Sequence, residues 1–215
     1  MEERMKNPPL DQRLASVLVQ PLIRTPISPD HLTAVSLLLA LAGAVLLATG
    51  DTDWQEWGAG LFVTARFLDH CDGELARQSG RQSSFGYYFD YLTGGLSYAA
   101  LLGGISLGLA DSVLGKWVMS IGLIGAVSAV LAMGLNLWID AETGGAAEGT
   151  AIGYPKIAGF ELEDGIYLLA PLTWLGYLAP FFAAAGVGAT VYCLWTLSLL
   201  LRLRARRREK KLSRS

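Results

Sequence analysis

Apolar runs long enough to cross a bilayer recur along this chain, and they leave it few folds. A helix needs about 20 apolar residues to span the hydrocarbon core, where backbone groups must find their partners within the protein. The run from His31 to Thr49 (HLTAVSLLLALAGAVLLAT) meets that length. A second begins near Trp54, a third covers about Phe85 to Leu109, and a fourth about Val113 to Ile139. A short fifth runs from Gly165 to Leu178 and a sixth from Phe181 to Leu201, divided near Pro180. The reading is an all-α, polytopic membrane protein with six transmembrane helices in one domain. Composition agrees: 52% of residues are hydrophobic, 17% are charged, and 25 glycines would let helix backbones approach closely.

Ahead of the first run, Leu10, Leu14, Val17, Leu18 and Leu22 recur near helical spacing, among Arg4, Lys6, Arg13 and Arg24. That pattern predicts an amphipathic helix lying on an anionic leaflet, with Pro21, Pro26 and Pro29 breaking it from the first span. The chain divides into an interfacial segment (1–30), a membrane domain (31–201) and a basic tail (202–215). The tail carries Arg202, Arg204, Arg206, Arg207, Arg208, Lys210, Lys211 and Arg214. Directly after a span, such a run is an orientation and lipid-contact element, and no nucleic-acid partner is expected. Arg77 and Arg81 lie on the same side by span counting, against Asp51, Asp53, Glu56, Asp111 and Lys116 on the other. Both termini are therefore expected in the cytoplasm of a multi-pass cell-membrane protein. The charged N-terminus lacks a cleavable leader pattern, and Cys71 and Cys193 are too few and too distant to suggest a disulfide framework.

The chemistry concentrates between positions 69 and 94. On a helix, Asp69, Asp72 and Ala76 share a stripe with Gly73 and Arg77 beside it, and Gly86, Asp90 and Gly94 form a second stripe after a short turn. If the two helices pack antiparallel the stripes converge, and three carboxylates in one small volume call for a divalent cation. An all-oxygen ligand set favours Mg²⁺ or Mn²⁺. Gly73, Ala76 and Gly86 leave room for a ligand against the backbone, and Arg77 can donate to a phosphate oxygen. The structural alternative is an ion-paired bundle in which the acids meet Arg66, Arg77 and Arg81.

The run Asp69-x2-Asp72-Gly73-x2-Ala76-Arg77-x8-Gly86-x3-Asp90-x3-Gly94 resembles the motif of the CDP-alcohol phosphotransferases, D-x2-D-G-x2-A-R-x8-G-x3-D-x3-D, at every defined position but the last. The helical layout and the Pro29-x-x-Leu32-Thr33 start of the first span extend the resemblance. It implies transfer of a phosphoalcohol from a CDP-linked donor to an alcohol acceptor with release of CMP, in phospholipid or related lipid biosynthesis. Asp69, Asp72 and Asp90 would bind metal, and together with Gly73, Ala76, Arg77 and Gly86 they would form the donor site. Homodimerisation is a further implication.

The family's last Asp helps hold a second metal and takes the proton of the attacking hydroxyl; Gly94 stands in its place. Either another acid replaces it, from Asp140, Glu142, Glu148, Glu161, Glu163 and Asp164, or the chain is a binding protein with little turnover. Arg24, Arg81 and Lys156 are the candidate contacts for an anionic acceptor, although leaflet anchoring explains them as well.

Overall fold

The structure is a computed structural model. It describes residues 10–112, 114–143, 156–157 and 160–212, with side chains described within 13–112, 114–143 and 165–207. A short helix α1 (Leu10–Leu18) and a 3-10 turn (Gln20–Leu22) precede α2 (Pro29–Leu47), α3 (Thr52–Ser79), α4 (Ser84–Gly108) and α5 (Trp117–Thr143). A two-stranded antiparallel pair follows, β1 (Lys156–Ile157) with β2 (Phe160–Glu161), Lys156 opposite Glu161. A 3-10 segment (Leu162–Leu168), α6 (Leu169–Trp174) and the long α7 (Leu178–Leu212) complete the chain.

The helix ends follow from local chemistry. Ser28 caps α2: its Oγ accepts from His31 N–H at 3.3 Å, while Ser28 N–H donates to His31 Nδ1 at 3.2 Å. His31 is thus a cap residue, and Pro29 occupies the first turn, where its missing N–H costs nothing. Asp51 caps α3 through Trp54 N–H. Gly80, at φ +66°, ends that helix in the left-handed conformation glycine tolerates. Ser83 then caps α4 by accepting from Gly86 N–H at 2.9 Å.

α2 packs against α3 and α4. A Cβ on Gly43 would lie 2.7 Å from the Gly58 carbonyl, and the reverse holds for Gly58, so these helices meet backbone to backbone. Leu47, Phe62, Leu101, Ile105 and Phe182 fill the core beside that contact. α4 and α5 run antiparallel, with Ser106 against Gly122, Gly94 against Met133, and Tyr87 bonded to Asp140.

Two expectations are corrected. Among the described residues, three helices rather than six are long and apolar enough to cross a membrane: Pro29–Leu47, Trp117–Thr143 and Leu178–Arg207. α3 falls short because Arg66, Asp69, Asp72, Glu74 and Arg77 crowd its second half. Tyrosines and glycines dilute the apolar content of α4. The expected fifth span is a short apolar stretch, Gly165–Trp174, partly in 3-10 form. With six spans gone, span counting no longer sets the side of each terminus.

The N-terminal helix is likewise shorter and less apolar than expected. It ends at Leu18, and Pro21 enters a separate turn. It exposes Leu14, Val17 and Leu18 together with Arg13, while Ala15 and Val19 are buried against Cys71 and Leu75 of α3. At the other end of the chain, α7 continues without a break past position 201.

Candidate active site

The last turns of α3 and the first turns of α4 bring Asp72, Gly73, Ala76, Arg77, Gly86 and Asp90 of the sequence motif to one cavity of about 370 Å³, while Asp69 and Gly94 are not among its lining residues. Asp69, Asp72 and Asp90 each offer a carboxylate oxygen, and these oxygens lie within 4.8 Å of one another. Asp90 is exposed, Asp69 half-buried and Asp72 buried. Arg66, also buried, reaches Asp69 Oδ2 with Nη1 at 3.0 Å and lies 5.1 Å above the Tyr98 ring. The ion-paired alternative therefore holds for Asp69. Asp72 Oδ2 is buried with no hydrogen-bond partner among the described residues. Burial, then the charges of Asp69 and Asp90, push the Asp72 carboxyl up to about 9. Three converging carboxylates, one with an orphaned buried oxygen, fit a divalent cation of the Mg²⁺ or Mn²⁺ type.

Gly73, Ala76, Arg77, Gly86 and Arg81 also line the cavity. At Gly86 a Cβ would come 2.8 Å from Asp30 Oδ1, so the small residue lets α2 and α4 approach at the cavity wall. Arg77 is held by Glu74, whose Oε2 accepts from Nε at 3.0 Å and Nη2 at 2.7 Å. Glu74 Oε1 also accepts from Gln78, which donates to the Ser16 carbonyl of α1. Arg81 Nη1 donates to the carbonyls of Thr25 and Ile27 at 3.2 and 3.1 Å, pinning the segment before α2. Arg24 is exposed in that segment and is not a cavity wall. Lys156 lies in β1 with its side chain outside those described.

Gly94 is buried one turn beyond Asp90, and a Cβ there would make an ordinary 3.7 Å contact with Met133 Cε. A Cβ fits there, so close packing at that atom does not require glycine. His70 engages the Arg66 carbonyl at 3.1 Å and the Tyr167 hydroxyl at 3.0 Å. Of the acids considered as replacements, Glu142 is paired with Arg204 at 2.9 Å. Glu148 lies outside the described residues, as do the side chains of Glu161, Glu163 and Asp164. Asp140 is fully buried and bonded by Tyr87 and Tyr91.

Sequence reasoning missed the cavity roles of Asp30, Thr33, Tyr87 and Tyr88, which line it. Asp30 and Thr33 read only as the start of a span, and the tyrosines carried no spacing signal. Arg204 also lies 4.0 Å over the Trp138 ring. The basic end of α7, the end of α5 and the acidic cavity are thus at one end of the bundle, joined through Glu142, Asp140 and Tyr87.

An all-helical membrane fold with a three-carboxylate cavity floored by small residues defines a class of metal-assisted group-transfer proteins. Residues 26–195 match the CDP-alcohol phosphatidyltransferase family, and the chain belongs to that family. It is 30% identical to an archaetidylinositol phosphate synthase of Pyrococcus horikoshii, over 74% of this chain and 84% of that protein. It is 39% identical to a bifunctional IPC transferase and DIPP synthase of Rubrobacter xylanophilus over 40% of this chain, a match spanning only 19% of that longer protein. The fold is shared with a phosphatidylinositol phosphate synthase of Mycobacterium tuberculosis solved with CDP-DAG bound. That match has a TM-score of 0.65 at 20% identity, covering 87% of this chain and 94% of that one. The same enzyme solved with manganese and citrate gives a TM-score of 0.60 at 18% identity, covering 87% and 88%.

Proposed function

We propose that this protein is a divalent-metal-dependent transferase that moves a phosphoalcohol group from a CDP-linked lipid donor to an alcohol acceptor, releasing CMP, in phospholipid or related lipid biosynthesis. The observation that carries the reading is the convergence of Asp69, Asp72 and Asp90 to within 4.8 Å beside a floor of small residues. These three would hold Mg²⁺ or Mn²⁺; when bound, the ion supplies charge neutralisation and Lewis-acid polarisation at a phosphoryl oxygen. Manganese in a structure of the same fold supports that cofactor class.

Gly73, Ala76 and Gly86 keep the floor low enough for a cytidine diphosphate to lie against the backbone. Arg77, oriented by Glu74, presents its remaining donors to the diphosphate. Asp69 is fixed by Arg66, so its position is set before any ligand arrives. Relatives named for inositol phosphate lipids support an acceptor of the inositol phosphate class. Arg81 at the cavity wall, with Arg24 and Lys156, is the proposed anion contact for it.

The cavity opens on the cytoplasmic side in this reading, with residues 31–201 as the membrane domain and 202–215 as a basic tail on the anionic leaflet. Arg77, Arg81, Arg202 and Arg204 at one end of the bundle support that orientation. Homodimerisation would cover part of the exposed apolar surface of α5, such as Leu123, Val127 and Leu131.

Gly94 favours a second reading, a donor- and metal-binding protein with little turnover. The experiment is CMP release by the purified chain with CDP-diacylglycerol and a panel of polyol and polyol phosphate acceptors, with Mn²⁺, Mg²⁺ or chelator. Chelator-sensitive CMP release that depends on an acceptor establishes the transferase. Saturable CDP-diacylglycerol binding with no CMP from any pair selects the binding protein.

A further inference from the structure

Asp140 is a carboxylate with no exposed surface, in the last turn of α5. Its Oδ2 accepts from Tyr87 Oη at 2.9 Å and also from Tyr91 Oη. Its Oδ1 is buried and has no hydrogen-bond partner among the described residues. A buried acid with one unanswered oxygen is costly, and such groups in native folds call for an explanation beyond packing.

The second observation is where the pair leads. Tyr87 lines the acidic cavity, whereas Asp140 stands behind it. Tyr87, Tyr91 and Gly94 follow one another at i, i+4 and i+7, so they share a face of α4. The phenols therefore connect Asp140 to the side of the helix on which a carboxylate at position 94 would stand. Arg204 and Arg207 bond Glu142 in this corner.

We infer that Tyr87 and Asp140 together take the acceptor's proton in place of the carboxylate that position 94 lacks, an inference that rests on the phosphotransferase reading above. The acceptor O–H proton passes to Tyr87 Oη as the phenol's own proton passes to Asp140 Oδ2. The electron pair freed on the acceptor oxygen forms the new O–P bond. The P–O bond to CMP breaks, its electron pair leaves on CMP, and the proton ends on Asp140. Tyr87 touches the acceptor and is the catalytic residue; Asp140 acts through it. Tyr91 holds the carboxyl in place by its own hydrogen bond.

The test uses the full chain in detergent with CDP-diacylglycerol, inositol phosphate and Mn²⁺, and compares Asp140→Asn, Tyr87→Phe and each combined with Gly94→Asp. Asn keeps an oxygen acceptor for the two phenols, so the fold retains its hydrogen bonds. Expected is a fall in kcat of about 10²–10⁴-fold in both single variants, with donor KM and Mn²⁺ binding unchanged, and roughly tenfold or greater recovery when Gly94→Asp is added. Full turnover by Asp140→Asn or Tyr87→Phe overturns the inference. A loss that Gly94→Asp does not restore, or one accompanied by lost Mn²⁺ binding, marks Asp140 as a helix lock and overturns it too. Absence of CMP release by the unmodified chain with every acceptor of the panel above instead defeats the phosphotransferase reading itself, and the relay with it.

Discussion

Two buried carboxylates on neighbouring helix pairs receive opposite treatment. Asp72, between α3 and α4, faces two further acids, and one of its oxygens has no hydrogen-bond partner among the described residues. Asp140, between α4 and α5, faces two phenol donors. The first environment concentrates negative charge and is relieved by a cation. The second supplies neutral donors and is suited to a proton. α4 joins the two, since Asp90 belongs to one and Tyr87 to the other. A single helix can thus carry both halves of a group-transfer site, provided its two neighbours differ in what they bring.

The largest effect should come from Asp72→Asn, which removes charge at the centre of the acid cluster. Metal-dependent CMP release should drop to background; unchanged turnover would remove the cluster from the mechanism. Arg66→Met comes next, because it strands Asp69 beside a buried arginine's former site. A loss of about 3–5 kcal/mol in unfolding stability is expected from breaking a buried pair, partly recovered by Mn²⁺. An unchanged unfolding midpoint would mean solvent already screens Asp69.

Arg77→Ala removes one charge-assisted contact to the diphosphate, worth about 1.5–3 kcal/mol, and should raise donor KM by about tenfold to a hundredfold. An effect on kcat alone would assign Arg77 to the transition state instead. A last effect is on pH dependence. Asp72 sits near 9 in the folded protein against an ordinary 3.8, so the metal-free fold keeps a proton that the unfolded chain releases. Asp72's contribution to metal-free stability should therefore be fully present below about pH 4 and be lost as pH rises toward 9, and Mn²⁺ should flatten that loss. Equal slopes with and without Mn²⁺ would falsify the idea that the cation replaces this proton.

Much of the acidic cavity was legible without coordinates. The intervals 69–72–76 and 86–90–94 fix helix faces, and the glycine and serine residues between them mark a turn that returns the chain. The surroundings of Asp140 were not legible in the same way. Asp140 could be named as one of several acids, but nothing in its spacing selected it over Glu142. The pairing of Glu142 with Arg204 and of Asp140 with Tyr87 crosses more than fifty positions of sequence, and no local period records it. Span counting failed for a related reason. Hydropathy read along the chain accepted α3 and α4 as spans, although the polar residues that build the cavity dilute both helices.

The sequence by itself determined an all-helical membrane protein, its family, and the set of acids and small residues that face one another. Those follow from apolar run length and helical periodicity, which act between residues a few positions apart. Only the tertiary structure decided which acid meets an arginine, which is buried among other acids, and which is held by two tyrosines. Those outcomes depend on contacts between distant helices, where the burial of a charge and the donors around it set what that charge can do.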